Sequence, residues 1–248
     1  MIKRKRDIVP SLFTMLNLFF GFFAIVNAIK GNFVQAAWLI IIAGIWDAID
    51  GKIARMAHTY SEFGIQFDSI TDVVSFGVAP SFLIYQSVFY KLGPGPLGLI
   101  LSFLPLLFAA IRLARFNANL DGFEKENFTG LPVPVMAVTL AAYVIFSYDL
   151  WEGIRFAPFL IPLVLFLCYL MVSHVEYEMM PKFSFREGKK NSIMFIFLLL
   201  LIASVVIFRQ KAPFPLALSF ILFYWIRSLV HHHQEEEDEE LLDVSISD

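Results

Sequence analysis

Residues 47–72 read DAIDGKIARMAHTYSEFGIQFDSITD, and this stretch decides the fold. It contains four aspartates, Asp47, Asp50, Asp68 and Asp72. The first pair is spaced i, i+3 and the second pair i, i+4, so on helices each pair lies on one face. A turn within residues 57–61 would let two such helices bring all four acids to one point. Carboxylate oxygens are hard ligands that suit Mg²⁺, Mn²⁺ or Ca²⁺, so the stretch predicts a metal site.

The flanks of this stretch are strongly apolar, from Ala37 to Trp46 before it and from Val73 to Phe89 after it. The whole 248-residue chain shares that character, with 58% hydrophobic residues, 17% charged residues and a mean hydropathy of +0.70. This composition is too apolar for a soluble domain and predicts an all-α integral membrane protein. The net charge of −3 indicates no strongly basic surface, so no nucleic-acid partner is expected.

Aspartates within a membrane have an unfavourable free energy of insertion, so their presence needs an explanation. Each Asp costs roughly 2.5–3.5 kcal/mol on insertion scales, so four in one hairpin would cost on the order of 10 kcal/mol if summed. A bound divalent cation offsets that cost by neutralising them. The alternative is an ordinary polar loop in which the acids pair with Lys52 and Arg55. That alternative explains neither the helical spacing nor the small residues Gly51 and Ala54 beside the acids, which would let a bulky ligand approach the backbone.

The lengths of the apolar runs predict eight membrane spans. The first ends near Ile29, and the others cover about residues 33–55, 67–90, 97–117, 131–150, 156–173, 192–208 and 213–230. We therefore expect a six-helix membrane core with an N-terminal interfacial segment over residues 1–175. A cytoplasmic connection and two extra spans follow over 176–230, and 231–248 form an acidic, disordered tail.

The distribution of basic residues predicts the orientation of these spans. With eight spans both termini lie on one side, and all but five of the 19 Lys and Arg fall on that side. The five on the opposite side are Lys30, Lys91, Arg155, Arg209 and Lys211. The positive-inside rule therefore places both termini in the cytoplasm, and the acid cluster near the cytoplasmic face.

The acidic stretch also carries a resemblance to a known family. Its pattern D-x2-D-G-x2-A-R-x8-G-x3-D-x3-D resembles the signature of the CDP-alcohol phosphatidyltransferases. Membership would imply a six-helix membrane core, usually a homodimer, in which an alcohol displaces CMP from a CDP-linked lipid. The chemistry calls for a divalent cation, Mg²⁺ or Mn²⁺, and two per site would clamp the diphosphate oxygens and stabilise charge on the leaving CMP.

The resemblance also implies roles for single residues. Asp72 is expected to be the base, while Asp47, Asp50 and Asp68, joined by Asp72, are suited to bind metal. Residues 10–17, PSLFTMLN, are similar to the family's Pro-Asn-x-x-Thr segment, although the Asn is replaced by Ser. The expected contacts to the CDP-lipid are Ser11, Thr14, Gly51, Ala54, Arg55, Ser61 and Gly64. N-capping by Ser11 and back-bonding by Thr14 is the alternative for that segment.

Two arginines end the predicted fourth span. Arg112 and Arg115 are spaced i, i+3 and share a face, so they can form an anion pocket or extend to lipid headgroups. Residues 112–117, RLARFN, and 128–134, FTGLPVP, resemble the phosphatidylserine synthase branch of the family. The incoming alcohol would then be L-serine, with Arg112 or Arg115 pairing with its carboxylate.

The expected activity is therefore phosphatidyl transfer from CDP-diacylglycerol to L-serine, within membrane lipid. One alternative is the same transfer to glycerol 3-phosphate or an inositol phosphate, which would need a denser basic pocket. The other is a cation transporter with the acids as its ion site. A transporter would release no CMP, and it would tend to contain a sequence repeat, which is not visible here.

Overall fold

The structure, a computed structural model, describes residues 12–57, 62–92, 96–118, 130–154, 157–173, 175 and 209–247, with the backbone alone at 54–57, 91–92, 209 and 231–247. All regular elements in these ranges are helical. The α-helices are α1 (Leu12–Ile29), α2 (Phe33–Ala57), α3 (Glu62–Asp72), α4 (Ala79–Ser87), α5 (Pro96–Ala118), α6 (Val133–Trp151), α7 (Ala157–Val172) and α8 (Pro213–Ser247). A π-helix, Val73–Val78, joins α3 to α4, and short 3₁₀ turns cover Phe89–Leu92 and Arg209–Lys211.

Helices α1 and α2 form a tight hairpin because a glycine ends the first one. Gly31 has a φ of +80°, a conformation that glycine adopts without the steric cost of a Cβ. Its N–H donates to the Ala28 carbonyl over 3.1 Å, and the Asn32 N–H donates to the Asn27 carbonyl over 2.9 Å. These two bonds satisfy carbonyls left open at the helix end, so α2 starts at once and runs back along α1.

The third span is one continuous helical segment, Glu62–Ser87, with a π-helical turn in its middle. Pro80 sits in the first turn of α4, directly after that turn. Proline has no N–H to donate and its ring crowds the preceding turn, so regular α-helical bonding is interrupted here. The widened turn begins at Val73, immediately after Asp72, and therefore lies beside the acids.

Helix α6 lies at the centre of the bundle. It contacts α2, α4, α5, α7, α8 and the π-helix, and eleven of its 19 residues are buried. Small side chains at Ala137, Ala141 and Ala142 let its neighbours approach closely, as is typical of helix interfaces in membranes.

Helix α8 packs on this core through aromatic side chains. The Phe214 ring lies 5.3 Å from that of Tyr143 and 5.6 Å from that of Phe146, and Trp225 lies 5.2 Å from Phe166. The additional C-terminal helix is thus packed against α6 and α7 within the described part of the chain.

The multi-pass membrane architecture is confirmed. Six described helical segments are long and apolar enough to span a membrane: α1, Phe33–Ile53 of α2, Glu62–Ser87, α5, α6 and Pro213–Val230. Helix α7 is apolar but shorter, with 16 residues. The expected span over 192–208 lies outside the described residues, so the total of eight stays a prediction.

Two boundaries differ from the sequence-based expectation. The third span begins at Glu62 rather than near Phe67, because α3 starts soon after the turn that follows α2. The backbone of α8 continues as helix to Ser247, whereas residues 231–248 were expected to be a disordered tail. Glu and Leu are strong helix formers, so a helix already started in the last span can continue through them.

Candidate active site

Three of the four carboxylates converge where α2 faces α3. Asp47 lies in the second half of α2, and Asp68 and Asp72 lie one helical turn apart on α3. One carboxylate oxygen from each lies within 4.8 Å of those of the other two, so the three can hold one metal ion. Asp72 is buried, while Asp47 and Asp68 are half-buried. An all-oxygen ligand set of this kind fits a hard divalent cation.

Asp50 lies beside this group rather than within it. The Thr14 hydroxyl of α1 donates a hydrogen bond to Asp50 Oδ2, and Asp50 interacts electrostatically with Asp68. We expected all four acids to converge at one point, and in the described geometry three of them do so. A hydrogen-bond donor on α1 sets the orientation of the fourth.

Asn17, one turn beyond Thr14 on α1, reaches the acid cluster itself. Its Nδ2 donates to Asp72 Oδ1 over 3.2 Å, and the residue is fully buried. The Ser75 hydroxyl, in the π-helix, donates to the Asn17 carbonyl over 3.0 Å. Helix α1 therefore supplies donors to an acid of α2 and to an acid of α3.

Arg112 brings positive charge to the same end of the bundle. It is half-buried near the end of α5, and it interacts electrostatically with Asp72. Its Nη2 donates to the Gly130 carbonyl over 3.4 Å. Its Nε is buried without a hydrogen-bond partner among the described residues. Arg115 differs, because its side chain is exposed.

The segment that begins at Gly130 fixes the acceptor for Arg112. Gly130 N–H donates to the Val175 carbonyl and Leu131 N–H to the Leu170 carbonyl, each over 2.9 Å. Gly130 has a φ of +83°, and a Cβ there would lie 2.5 Å from the Met171 carbonyl oxygen. Only glycine fits this position, which docks the start of α6 against the end of α7.

A polar network joins the end of α5 to α3 between the two acids of that helix. Asn117 Nδ2 donates to Ser69 Oγ over 3.0 Å, and the Ser69 hydroxyl donates to the Ile65 carbonyl over 3.1 Å. Ser69 follows Asp68 directly. The network therefore fixes the helix that carries two of the clustered acids against the helix that carries Arg112.

The remaining expected lipid-binding residues divide into three groups. Gly51 and Gly64 are half-buried, in α2 after Asp50 and in the first turn of α3. Ala54 and Arg55 belong to α2, but only their backbone is described. Ser11 and Ser61 lie outside the described residues.

The sequence pattern predicted no role for Asn17, Ser69 or Asn117. A signal for Asn17 exists, because it is three residues from Thr14 and so shares its face of α1. Asn117 ends the RLARFN segment, and Ser69 lies between two clustered acids. Neither spacing indicates which distant helix each side chain would contact.

Comparison with known proteins places this geometry in context. A family model described as CDP-alcohol phosphatidyltransferase matches residues 7–172, a range that contains all four acids and Arg112. The chain is 38% identical to a CDP-diacylglycerol–serine O-phosphatidyltransferase of Helicobacter pylori, over 88% of this chain and 89% of that one. It is 36% identical to the Methanocaldococcus jannaschii protein of that name, over 72% and 77% of the two chains. An archaetidylserine synthase of Methanothermobacter thermautotrophicus is 34% identical, over 68% and 69%.

Proposed function

This chain belongs to the CDP-alcohol phosphatidyltransferase family, and we propose that it transfers the phosphatidyl group of CDP-diacylglycerol to L-serine, giving phosphatidylserine and CMP. The observation that carries the proposal is the meeting of Asp47, Asp68 and Asp72 beside a half-buried Arg112. Relatives named for transfer to serine support the choice of acceptor, since they are similar over most of their length.

The carboxylates would hold the divalent cation that this chemistry requires. Asp47, Asp68 and Asp72 would supply oxygen ligands, and Asp50, oriented by Thr14, would be a further ligand for a second ion. Bound Mg²⁺ or Mn²⁺ supplies positive charge that neutralises the diphosphate and stabilises charge developing on CMP. Two ions per site are part of the proposal.

In the transfer step, the serine hydroxyl oxygen attacks the phosphorus that carries the diacylglycerol. A new P–O bond forms to serine, the P–O bond to CMP breaks, and CMP leaves with the electron pair. The hydroxyl proton goes to Asp72, the most buried of the clustered acids. A positioned carboxylate that accepts this proton makes the hydroxyl a better nucleophile as the bond forms.

Arg112 is the better candidate for the serine carboxylate. Its guanidinium is half-buried and anchored to the Gly130 carbonyl, which leaves further N–H groups for a ligand. The buried Nε, without a described partner, is a donor of that kind. Arg115 is exposed, which fits contact with lipid headgroups. A serine held by Arg112 would lie on the side of the cluster where Asp72 can receive its proton.

The CDP-lipid would be held near the turn where α2 ends and α3 begins. Gly51, Ala54 and Gly64 would give it close access to the helix backbones, and Arg55 would neutralise a phosphate. Ser11 and Ser61 would add hydroxyl contacts. Thr14 acts on Asp50 in the described geometry, so its role would be to orient that acid beside the lipid nucleotide.

We also propose how the site is oriented in the membrane. Both termini and the acid cluster would face the cytoplasm, following the distribution of Lys and Arg. The protein would have eight spans, as the apolar runs predict, and would work as a homodimer, as the family resemblance implies. Cytoplasmic serine would then reach the acids directly, while CDP-diacylglycerol would enter from the bilayer.

The function is tested by CMP release from purified protein in vesicles containing CDP-diacylglycerol. We expect release with L-serine, loss of release in chelator, and recovery with Mg²⁺ or Mn²⁺. D-serine, ethanolamine, glycerol 3-phosphate and inositol phosphate serve as matched acceptors. Equal or faster release with a phosphorylated alcohol would reject serine as the acceptor. Cation flux without CMP release would favour a transporter.

Replacing the two arginines separates a substrate contact from a lipid contact. We expect Arg112→Ala to raise the KM for serine by at least about tenfold, because a carboxylate in a partly desolvated pocket needs a paired cation. The KM for CDP-diacylglycerol should change much less. Arg115→Ala, an exposed arginine one turn away, is the matched control and should leave the serine KM near wild type. An unchanged serine KM in Arg112→Ala would contradict the assignment.

Asp72→Asn should separate proton transfer from metal binding. The amide keeps the size and one oxygen but loses the proton acceptor, so we expect kcat to fall by roughly 10²–10⁴. Because its main role is to accept the proton, Asp72→Asn should weaken CDP-lipid binding at saturating Mg²⁺ less than Asp47→Asn, which changes a residue whose role is metal binding alone. The measurements are the single-turnover rate and the Kd for CDP-diacylglycerol in each variant. Rescue of the Asp72→Asn rate by excess metal would make Asp72 a ligand and not the base.

A further inference from the structure

A buried asparagine on α1 makes a contact that the proposed reaction does not yet use. Asn17 is fully buried, and its amide Nδ2 donates to Asp72 Oδ1 over 3.2 Å across 55 residues of sequence. An ionised carboxylate has acceptors only, so the amide must present its NH₂ group to Asp72. That contact takes one acceptor position on Oδ1, and Asn17 does not engage Oδ2.

We propose that Asn17 is a positioning residue for Asp72, fixing the carboxylate so that Oδ2 faces the metal and the incoming hydroxyl. The inference rests on the proposed function. Groups that hydrogen-bond to a ligand or a base orient its lone pairs, and their loss changes metal affinity or rate without removing a ligand. A buried hydrogen bond to a charged group also holds one rotamer of Asp72.

Two further contacts fix the position of Asn17 relative to α3 and the π-helix. The Ser75 hydroxyl, three residues after Asp72, donates to the Asn17 backbone carbonyl over 3.0 Å. One turn further along α1, Gly21 packs directly on Ser75. A Cβ on Gly21 would lie 2.2 Å from Ser75 Oγ and 2.7 Å from Ser75 Cα, distances that no side chain can accept. The register between α1 and the π-helix is therefore fixed at Asn17 and again one turn beyond it, at Gly21.

The π-helix explains why an external residue is needed for this task. It begins at Val73, so the regular helix that carries Asp68 and Asp72 ends at Asp72. A widened turn leaves the neighbouring backbone less constrained than a regular α-helix, and such turns occur often at functional sites. The contacts of Asn17 with Asp72 and with Ser75 bridge this point from α1, so Asp72 is held from outside its own helix.

The side-chain oxygen of Asn17 indicates that a further group binds next to it. Its Oδ1 is buried and has no hydrogen-bond partner among the described residues. A buried amide oxygen without a donor is unfavourable, which implies a partner such as a water, the incoming hydroxyl or the serine ammonium group. Asn17 can thus donate to Asp72 and accept a hydrogen bond from such a partner through the same side-chain amide.

The chain offers matched controls for both residues. Asn27 is a second buried asparagine on α1, but its Nδ2 donates to the Phe23 carbonyl of the same helix, over 2.9 Å. Ser87 is a second buried serine of the third span, and its hydroxyl donates to the Leu83 carbonyl of that helix over 2.6 Å. Replacing either removes a similar buried polar group far from the acids.

The test compares Asn17→Ala with Asn27→Ala and Ser75→Ala with Ser87→Ala in the full chain. The measurements are kcat at saturating Mn²⁺, CDP-diacylglycerol and serine, the Mn²⁺ affinity of substrate-free protein by electron paramagnetic resonance, and Tm. We expect Asn17→Ala to lower kcat or Mn²⁺ affinity by about 10–100-fold. Ser75→Ala should produce a smaller loss of the same kind. Both control variants should keep wild-type values, whatever their Tm.

Each outcome decides the inference. If Asn17→Ala matches Asn27→Ala in kcat and Mn²⁺ affinity, Asn17 is only a packing residue and the inference is wrong. If Asn17→Ala does not fold, Ser75→Ala and its control decide, and equal values for those two overturn the inference. If the wild-type protein releases no CMP with any alcohol, the proposed function fails. The Mn²⁺ affinities of the Asn17 and Asn27 variants then test the positioning of Asp72 by themselves.

Discussion

Repulsion among carboxylates inside a membrane bundle is the constraint on which this structure depends. Asp47, Asp68 and Asp72 place oxygens within 4.8 Å of one another. Two unit charges 4 Å apart repel by about 4 kcal/mol at an effective dielectric constant of about 20. A cluster of three is therefore stable only with compensating charge and donors. The structure supplies Arg112 from α5 and amide and hydroxyl donors from α1, and the remaining charge is what a divalent cation would neutralise.

That requirement accounts for the arrangement of the surrounding helices. The hairpin of α2 and α3 supplies the acids, α1 supplies donors from its first two turns, and α5 supplies the arginine at its last turns. Glycines permit two close approaches, at Gly21 against Ser75 and at Gly130 against the end of α7. The central helix α6 carries no group of the site. Its buried small and aliphatic side chains hold the other helices in register instead.

The sequence predicted most of the fold because hydrophobic length and helical spacing are local properties. The acidic hairpin, the start of α2 at Phe33 and the convergence of acids follow from such spacing. Contacts between helices do not: the bond from Asn17 to Asp72 joins residues 55 positions apart, and periodicity gives a face but no partner. The π-helix after Asp72 rotates the following residues of the third span by a fraction of a turn. The spacing of apolar residues does not reveal this rotation. The different burial of Arg112 and Arg115 likewise depends on the Gly130 segment, which packs on α7.

The measurement that tests the account most directly is pulsed electron paramagnetic resonance of Mn²⁺ bound to the protein with CDP-diacylglycerol. If the acid cluster holds the cation that binds the diphosphate, the Mn²⁺ signal should show ³¹P hyperfine coupling from a phosphate group whose oxygen binds the ion directly. That coupling should disappear in Asp47→Asn. It should persist in Asp149→Asn, which removes a carboxylate outside the cluster that lies 4.0 Å from Lys211. Bound Mn²⁺ without ³¹P coupling, or coupling that survives loss of Asp47 and Asp68 together, would contradict the account.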